Sequence, residues 1–340
     1  MASPPHEPNS LREAAAQGHV LYGAAICTSD LDMECRRRTI LRECSLVTLE
    51  YEMKWDRIGA DPDFGACDRL AAFAAGNGLA VHGHALWWHG SIPGGLDEAP
   101  DATFAEAALE HLRVTTGRYA GRMHSWDVVN EPLEEAGADG RPDGLRTTRF
   151  LQALGTGYIA TAFRAAAATD PRAVLVLNEM GLEYASAAAE RKRRLMLALL
   201  ERELAQGTPI HCLGLQSHLD ASDQPRHHPE LRAFLREVRQ MGLSVMITEL
   251  DVSDRQCPRN LSLRDRMVAD TYRSHVELVL EESRTLAVIT WGLDDGRSWL
   301  RGVSGRSDNI LPRPLPFDRA LRRKPAWHGL KAALLSGRRG

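Results

Sequence analysis

The sequence has 340 residues, of which 44% are hydrophobic, and a formal net charge of −3 at pH 7. This size and composition suit one large globular domain or two small ones with a sizeable core. The charges of both signs are interspersed without a basic patch, which argues against a nucleic-acid-binding protein. No apolar run reaches the roughly 18 residues that a membrane span needs.

Apolar strands alternate with helical segments along almost the whole chain. After a lead-in over residues 1–18 that contains a helix at 11–17, the pattern predicts eight strands, each followed by a helix. The predicted strands are 19–26, 44–49, 78–86, 123–130, 173–177, 212–217, 243–248 and 286–291. The predicted helices that follow them are 32–43, 64–76, 102–119, 150–168, 186–205, 230–241, 263–282 and 325–335.

Regular alternation of this kind predicts parallel βαβ units, which build either a closed barrel or a doubly wound open sheet. Nearly every predicted strand ends in a polar or aromatic side chain, and a closed barrel brings all of these ends to one mouth. We therefore predict an α/β fold with a single (β/α)8 TIM barrel over residues 19–335 and a short tail at 336–340. The strand-end residues are Glu50, His84, Glu131, Asn178, His218, Glu249 and Trp291.

Two strands deliver a carboxylate at their carboxyl ends. Residues 125–130 form a valine-rich strand that stops before Pro132, because proline cannot continue a central strand, and Glu131 stands at that end. Residues 243–248 lead to Glu249 in the same way. Two carboxylates that face one cavity are the minimum equipment for cleaving a glycosidic bond. The pair therefore predicts a glycosidase centre at the mouth of the barrel.

The neighbours of the two glutamates suggest how the work is divided. We assign Glu131 as the acid/base, since Asn130 beside it can hydrogen-bond a sugar 2-hydroxyl, and Glu249 as the nucleophile. His218, supported by Asp251, is expected to keep Glu249 ionised while Glu131 is protonated. The side chains predicted to stack on or hydrogen-bond to sugar rings are Glu50, Lys54, His84, Trp87, Trp88, Gln216, Trp291 and Trp299.

Seven runs match the motifs of one known family, in the family's order: EYEMKW (50–55), GHALWWH (83–89), WDVVNEP (126–132), LGLQSHL (213–219), ITELDV (247–252), ITWGLDDGRSWL (289–300) and KPAW (324–327). The chain thus resembles the family 10 glycoside hydrolases, which are retaining endo-β-1,4-xylanases on an α/β barrel. The resemblance implies the same roles for Glu131 and Glu249 and requires no cofactor or metal. It places His84, Asn130, Gln216 and His218 around the sugar being cleaved. Along the glycone side, where the sugars on the non-reducing side of the broken bond lie, it places Glu50, Lys54, Trp88, Trp291 and Trp299.

Several positions depart from the family pattern. Tyr51 stands where the family has asparagine, and Ser91, after Gly90, where it has glutamine. Trp87 replaces a smaller aliphatic residue, and Met180 replaces a tyrosine. A tryptophan expected after Pro93 is missing, with Gly94 and Gly95 in that place.

Most of these changes fall on the glycone side, so we predict that hydrolysis is retained with altered glycone recognition, in which Tyr51 and Ser91 take part. The shorter side chain of Ser91 is expected to open space for a hydroxymethyl group or a branch. The predicted substrate is xylan, plain or decorated. A glucose-containing β-1,4 polysaccharide such as a bacterial exopolysaccharide is the alternative.

Two other functions compete with this prediction. A metal-dependent hydrolase would use His82 and His84 with His218 and Asp294, as in amidohydrolase barrels. Those barrels place the histidine pair on the first strand, whereas here it lies on the third predicted strand. A non-catalytic carbohydrate-binding barrel would be expected to have lost one carboxylate, and both are present.

The remaining predictions concern the state of the chain. Its six cysteines lack metal-type spacing, and Cys257, in a loop, is the best candidate for a disulfide bridge. We expect a monomer that acts on a polysaccharide or oligosaccharide. Because polysaccharides are met mainly outside the cytoplasm, we predict a secreted or periplasmic protein. The polar first ten residues carry no signal-peptide core, which leaves a cytoplasmic location open.

Overall fold

The computed structural model describes residues 8–134, 140–223, 228–303, 306 and 308–337. Parts of the predicted lead-in (1–7) and tail (338–340) lie outside these residues. The strands are β1 (Leu21–Ile26), β2 (Leu46–Leu49), β3 (Ala80–Gly83), β4 (Trp87–Trp88), β5 (Ser125–Asn130), β6 (Val174–Glu179), β7 (Cys212–Leu215), β8 (His218–Asp220), β9 (Ser244–Ser253) and β10 (Thr285–Thr290).

Eight of these strands form a closed parallel barrel in the order β1-β2-β3-β5-β6-β7-β9-β10. Strand β10 pairs with both β9 and β1, and this double pairing closes the sheet on itself. The predicted TIM barrel is therefore confirmed. All eight carboxyl ends open on the same side of the molecule.

Helices surround the barrel and connect its strands. They are α1 (Leu11–Gln17), α2 (Glu34–Glu43), α3 (Trp55–Ile58), α4 (Gly65–Gly76), α5 (Asp101–Arg118), α6 (Arg149–Leu154), α7 (Tyr158–Thr169), α8 (Ala187–Ala205), α9 (Pro229–Gln240), α10 (Leu261–Glu282), α11 (Leu300–Val303) and α12 (Pro325–Ser336). The single helix predicted at 150–168 is two helices, α6 and α7. Gly155 ends the first at φ 72°, a left-handed conformation that glycine adopts at no steric cost.

Two strands break off near the carboxyl end of the barrel and resume as short strands. After β3 the chain leaves the ladder at residues 84–86, and β4 then pairs with β5. After β7 it leaves the ladder at residues 216–217, and β8 then pairs with β9. Strand β9 continues to Ser253, well beyond its predicted end at 248, so that Glu249 lies inside a strand. These breaks redirect the side chains that form the mouth.

The barrel is filled with small and branched side chains, and a second core lies between the barrel and the helices. A separate buried cluster combines residues of β2, β6, β7, β9 and β10: Leu46, Val176, Cys212, Met246, Ala287 and Ile289. Leu11, Ala14 and Ala15 of α1 are fully buried as well.

All six cysteines are described, and all are free thiols. Cys257, the best candidate for a bridge, is a buried free thiol. Within the described residues, no helix is both long and apolar enough to cross a membrane.

Candidate active site

Glu131 follows the last residue of β5 and lies at the mouth of the barrel. Its backbone adopts a left-handed conformation (φ 55°), which is uncommon for any residue other than glycine, and its N–H donates to the carbonyl of Asn178 at 2.9 Å. The carboxylate Oε1 accepts a hydrogen bond from Gln216 Nε2 at 3.1 Å. Because the side chain is 12% exposed, a ligand in the cleft can reach it.

Glu249 is more deeply buried in β9, and each of its oxygens is engaged. Asn178 Nδ2 donates to Oε1 at 2.8 Å, and His218 Nε2 lies 3.3 Å from Oε2. Burial by itself raises the pKa of Glu249, but the charge of His84 and the hydrogen bond from His218 outweigh it. The net pKa lies below its usual value, so Glu249 is ionised at neutral pH.

His218 lies between two carboxylates. Its Nδ1 is 3.0 Å from Asp251 Oδ1, on the side opposite Glu249. Trp299 Nε1 donates to the other oxygen of Asp251 at 2.6 Å. Burial lowers the pKa of His218, but Asp251 and then Glu249 raise it well above its usual value. A protonated imidazole donates from both nitrogens, which matches the two contacts.

Three side-chain amides connect the two glutamates. Asn130 Oδ1 accepts from Asn178 Nδ2 at 2.8 Å and from Gln216 Nε2 at 3.2 Å. Gln216 also contacts Glu131, and Asn178 also contacts Glu249. The structure therefore brings the predicted pair and its predicted supporting residues into one network. Asn178 was noted only as a strand-end residue, although its contacts make it a central member of this network.

A second carboxylate, Asp127 of β5, holds both histidines of the third strand. Asp127 Oδ2 lies 2.8 Å from His84 Nδ1 and 2.9 Å from His82 Nε2. Burial raises the pKa of Asp127, but His82 and His84 more than reverse this effect, and the net pKa is lowered. Asp127 was missed from the sequence, where a charged residue between Trp126 and Val128 in an apolar strand was the available signal.

The metal-hydrolase alternative requires His82, His84, His218 and Asp294 to converge, and they do not. Asp294 instead pairs with Arg36 at 2.7 Å. Among the described residues, His84, Asp127 and Glu249 place ligand-type atoms within 4.8 Å of one another. The ring of His84 is already hydrogen-bonded to Asp127, so this cluster is accounted for as the support of Glu249.

Aromatic rings surround the ammonium group of Lys54 beside the two glutamates. Lys54 Nζ lies 4.7 Å from the ring centroid of Trp88, 5.0 Å from that of Tyr51 and 6.0 Å from that of Trp291. Burial lowers the pKa of Lys54, although Glu249 and Glu50 oppose the change. Tyr51 is 41% exposed, so its ring forms the outer edge of this wall.

Glu50 stands at the inner edge of the same wall and is buried. Burial raises its pKa to about 7, against the opposing effects of Tyr51 and Lys54. The ring of His84 packs edge-on against Trp291 at 4.9 Å, and the ring of His218 packs in the same way against Trp299 at 5.1 Å. The predicted polar and aromatic groups of the glycone side thus lie together around the glutamates.

Two predicted substrate contacts do not fit the structure. Trp87 is fully buried, donates its indole N–H to the carbonyl of Ala108 at 3.0 Å and stacks on Phe150, so it belongs to the core and the prediction for it is wrong. Ser91 is only 3% exposed, and its hydroxyl donates to the carboxylate of Asp56. The space expected at Ser91 is therefore filled by its own partner.

Comparison with known proteins gives a consistent result. Residues 10–333 match the model of the family described as Glycosyl hydrolase family 10. An endo-1,4-beta-xylanase of Agaricus bisporus is 31% identical over 84% of this chain and 81% of its own length. Endo-1,4-beta-xylanase C of Paenibacillus barcinonensis is also 31% identical, over 91% of this chain, and the match spans 30% of that protein.

Solved structures agree with these sequence matches. Native xylanase 10B from Thermotoga maritima superposes with a TM-score of 0.85 at 26% identity, covering 96% of this chain and 98% of that one. A thermostable mutant of the xylanase Xyn10A from Cellvibrio japonicus superposes with a TM-score of 0.83 at 29% identity, covering 95% and 99%.

Proposed function

The chain belongs to glycosyl hydrolase family 10, and from this premise we propose that it cleaves β-1,4-linked xylan with Glu131 as acid/base and Glu249 as nucleophile. The observation that carries the proposal is that the two glutamates differ in burial and in their hydrogen-bond partners. Glu249 is buried between donors that keep it charged, whereas Glu131 is partly open and bonded to a neutral amide. Such a difference in surroundings separates an acid from a nucleophile.

The reaction proceeds in two displacements. In the first, Glu249 attacks the anomeric carbon while Glu131 transfers its proton to the departing glycosidic oxygen, which leaves a glycosyl ester on Glu249. In the second, Glu131 takes a proton from a water molecule, the hydroxide attacks the anomeric carbon, and the ester bond to Glu249 breaks. The sugar leaves with its anomeric configuration retained, and both glutamates return to their starting states.

His218 and Asn178 orient the nucleophile throughout this cycle. Each donates to a different oxygen of Glu249, so the carboxylate is held by both of its oxygens before attack. Asp251 compensates the charge of His218 from the other side. Removing one member of such a network leaves a buried charge without its partner, which is costly.

The observations at Ser91 bear on the choice of substrate. The alternative, a glucose-containing β-1,4 polysaccharide, needs room for a hydroxymethyl group that xylose lacks. Because Ser91 is buried against Asp56, the shorter side chain does not create that room at its own position. We therefore retain xylan as the proposed substrate, with Tyr51 as the residue that alters glycone recognition. We also propose that the protein acts outside the cytoplasm, where this polymer is met.

The test uses linear xylan, substituted xylans and mixed-linkage glucan, with products identified by mass spectrometry. We expect xylo-oligosaccharides from the wild type and none above background from Glu249→Ala. Glu131→Ala should lose about 10²–10⁴-fold in kcat on xylan. In an aryl xyloside whose phenol is acidic, the phenolate leaves without being protonated. On that substrate we therefore expect Glu131→Ala to recover most of its rate of glycosidic bond cleavage.

The same aryl xyloside separates the two roles, because no leaving group compensates for a missing nucleophile. Turnover of this compound by Glu249→Ala at the wild-type rate would overturn the assignment of the nucleophile. Products from glucan alone would overturn the proposed substrate and leave the mechanism intact.

A further inference from the structure

The break between β7 and β8 places a strained residue between two catalytic contacts. Ser217 has φ 60°, in the left-handed region that is unfavourable for a residue with a side chain. The residue before it, Gln216, bonds to Glu131 at 3.1 Å, and the residue after it, His218, lies 3.3 Å from Glu249. The contacts of residues 216–218 with both glutamates thus depend on the backbone conformation of Ser217.

Two buried side chains hold Ser217 from outside the cleft. Glu183 Oε1 accepts the backbone N–H of Ser217 at 2.7 Å. His275 Nε2, from α10, lies 2.9 Å from Ser217 Oγ. Both side chains are almost inaccessible to solvent, where a hydrogen bond is electrostatically stronger than in water. Neither of them is among the groups that contact Glu131 or Glu249.

The segment that carries Glu183 is itself anchored to a helix. Arg193 of α8 donates to the carbonyls of Leu182 and Tyr184, at 2.8 Å each. Tyr184 in turn donates its hydroxyl to the carbonyl of His218. Residues 182–184 therefore hold Ser217 and His218 by two hydrogen bonds, and α8 fixes residues 182–184.

We infer that Glu183 is a positioning residue for the catalytic pair, which acts through Ser217 on Gln216 and His218. Without its carboxylate the N–H of Ser217 has no buried acceptor, and the strained conformation loses its main support. Gln216 and His218 then move away from Glu131 and Glu249. This inference rests on the roles proposed above for the two glutamates.

The test compares Glu183→Ala with Glu183→Gln. Glutamine keeps an oxygen that can accept from Ser217, so we expect its kcat to stay within about threefold of the wild type. Alanine removes the acceptor, and a displacement of about 1 Å at a catalytic group costs on the order of 10²-fold in rate, so we expect that loss in kcat with little change in KM.

The pH profile supplies a second readout that a general loss of stability does not move. His218 helps to lower the pKa of Glu249, so a displaced His218 allows that pKa to rise. We expect the acidic limb of the kcat/KM profile to shift to higher pH in Glu183→Ala and to stay in place in Glu183→Gln. Wild-type kcat and an unmoved limb in folded Glu183→Ala would overturn the inference.

Glu203→Ala provides the matched control. Glu203 is as buried as Glu183 and accepts a hydrogen bond from Thr208 at 2.9 Å, at the far end of α8 from the site. We expect this variant to lose stability but to keep the wild-type kcat and pH profile. A fall in its kcat equal to that of Glu183→Ala would mean that any buried carboxylate has this effect, which would also overturn the inference.

Two further measurements keep the test independent of folding and of the substrate. If Glu183→Ala does not fold, Tyr184→Phe removes only the hydroxyl that holds His218, and we expect a smaller loss in kcat with the same shift of the acidic limb.

NMR titration of the His218 ring needs no turnover. Its pKa should fall in Glu183→Ala or Tyr184→Phe and stay high in Glu183→Gln, even if the wild type cleaves no xylan and the proposed function fails. An unchanged His218 titration in the alanine or phenylalanine variant would overturn the inference.

Discussion

Gly90 determines where the indole ring of Trp88 can lie. A Cβ atom added at Gly90 would lie 2.8 Å from Cζ2 and 2.9 Å from Cε2 of that ring, closer than such atoms approach in folded proteins. The ring of Trp88 also faces the Lys54 ammonium, so its position affects the whole aromatic wall around Lys54. The absence of a side chain at residue 90 is therefore a structural requirement of the site as it is built here.

We predict that Gly90→Ala displaces the Trp88 ring and weakens glycone binding. The expected result is a rise in KM for xylo-oligosaccharides of roughly tenfold, which corresponds to about 1.4 kcal/mol, with a smaller change in kcat. Gly94→Ala is the matched control, because a Cβ atom there meets nothing within 4 Å. Equal KM values in the two variants, measured by steady-state kinetics, would contradict the prediction.

Glu50 gives the protein a pH-dependent stability that can be measured separately. Its pKa is about 7 in the folded state, and its reference value is 4.5. Between these two values the folded state holds a proton that the unfolded state has released, so stability falls as the pH rises through this window. The shift corresponds to about 3 kcal/mol as an order of magnitude, because one pKa unit is worth about 1.4 kcal/mol.

We therefore predict that Glu50→Gln, which cannot ionise, lacks this part of the fall in stability. Urea unfolding at pH 4.5 and at pH 8 should show the variant gaining stability relative to the wild type by a few kcal/mol at the higher pH. A difference between the two proteins that stays constant with pH would show that Glu50 ionises normally in the folded state.

The residues that the sequence identified and those it missed differ in a consistent way. Glu131, Glu249, His218 and Asp251 were predicted because motif runs and strand ends point to them. Asp127 and Glu183 were missed, and Asn178 was identified only as a strand end. These side chains act on other protein groups, and the sequence does not show which groups a buried polar residue contacts.

At the scale of elements, alternation along the chain predicted the strands and helices, but not the places where strands break. Trp87 was assigned to the cleft because it directly follows the predicted strand 78–86, at the carboxyl end where other tryptophans also stand. The chain leaves the ladder at residues 84–86, and Trp87 then points into the core, where it stacks on Phe150. The break at residues 216–217 is fixed by Glu183 and His275, which are distant in sequence. Long-range hydrogen bonds of this kind leave no periodic signal.

The same breaks explain how a regular barrel presents an irregular site. Glu249 lies within β9 and Glu131 follows the last residue of β5, so the sheet sets the distance between the two glutamates. Three supporting groups lie at the interruptions between β3 and β4 and between β7 and β8: His84, Gln216 and His218. The others stand on β5, β6 and β9: Asp127, Asn130, Asn178 and Asp251. The reacting groups thus stand in or directly after regular strands, and the irregular segments complete their surroundings.

At the scale of the whole molecule, one buried carboxylate joins the first and last helices to the barrel. Glu43, at the end of α2, accepts from the backbone N–H of Leu11 at 3.0 Å and from Trp327 Nε1 at 3.0 Å. Its other oxygen accepts from Arg323 at 2.9 Å. Because Glu43 precedes β2, these contacts lie at the amino-terminal end of the barrel, opposite the catalytic mouth. They connect segments more than 300 residues apart in the sequence, since Leu11 and Trp327 share this one acceptor.

We predict that Glu43→Ala destabilises the protein at pH 7 by about 1–3 kcal/mol for each buried donor that it leaves without an acceptor, the Leu11 N–H and the Trp327 indole N–H. Burial raises the pKa of Glu43, but the bonds from Leu11, Arg323 and Trp327 outweigh it, and the net pKa lies below 4.5. The part of the stabilisation that depends on the charge is thus present above pH 4.5 and is lost as the pH falls through the lowered value, so the difference in stability between the two proteins should become smaller in acid. Urea unfolding at pH 7 and at pH 3 measures this difference in stability.

The kcat of the folded Glu43→Ala variant on xylan should equal that of the wild type, because the catalytic end of the barrel is unchanged. A loss of kcat in fully folded Glu43→Ala would show instead that closure of the chain ends is coupled to the geometry of the glutamates across the length of the barrel.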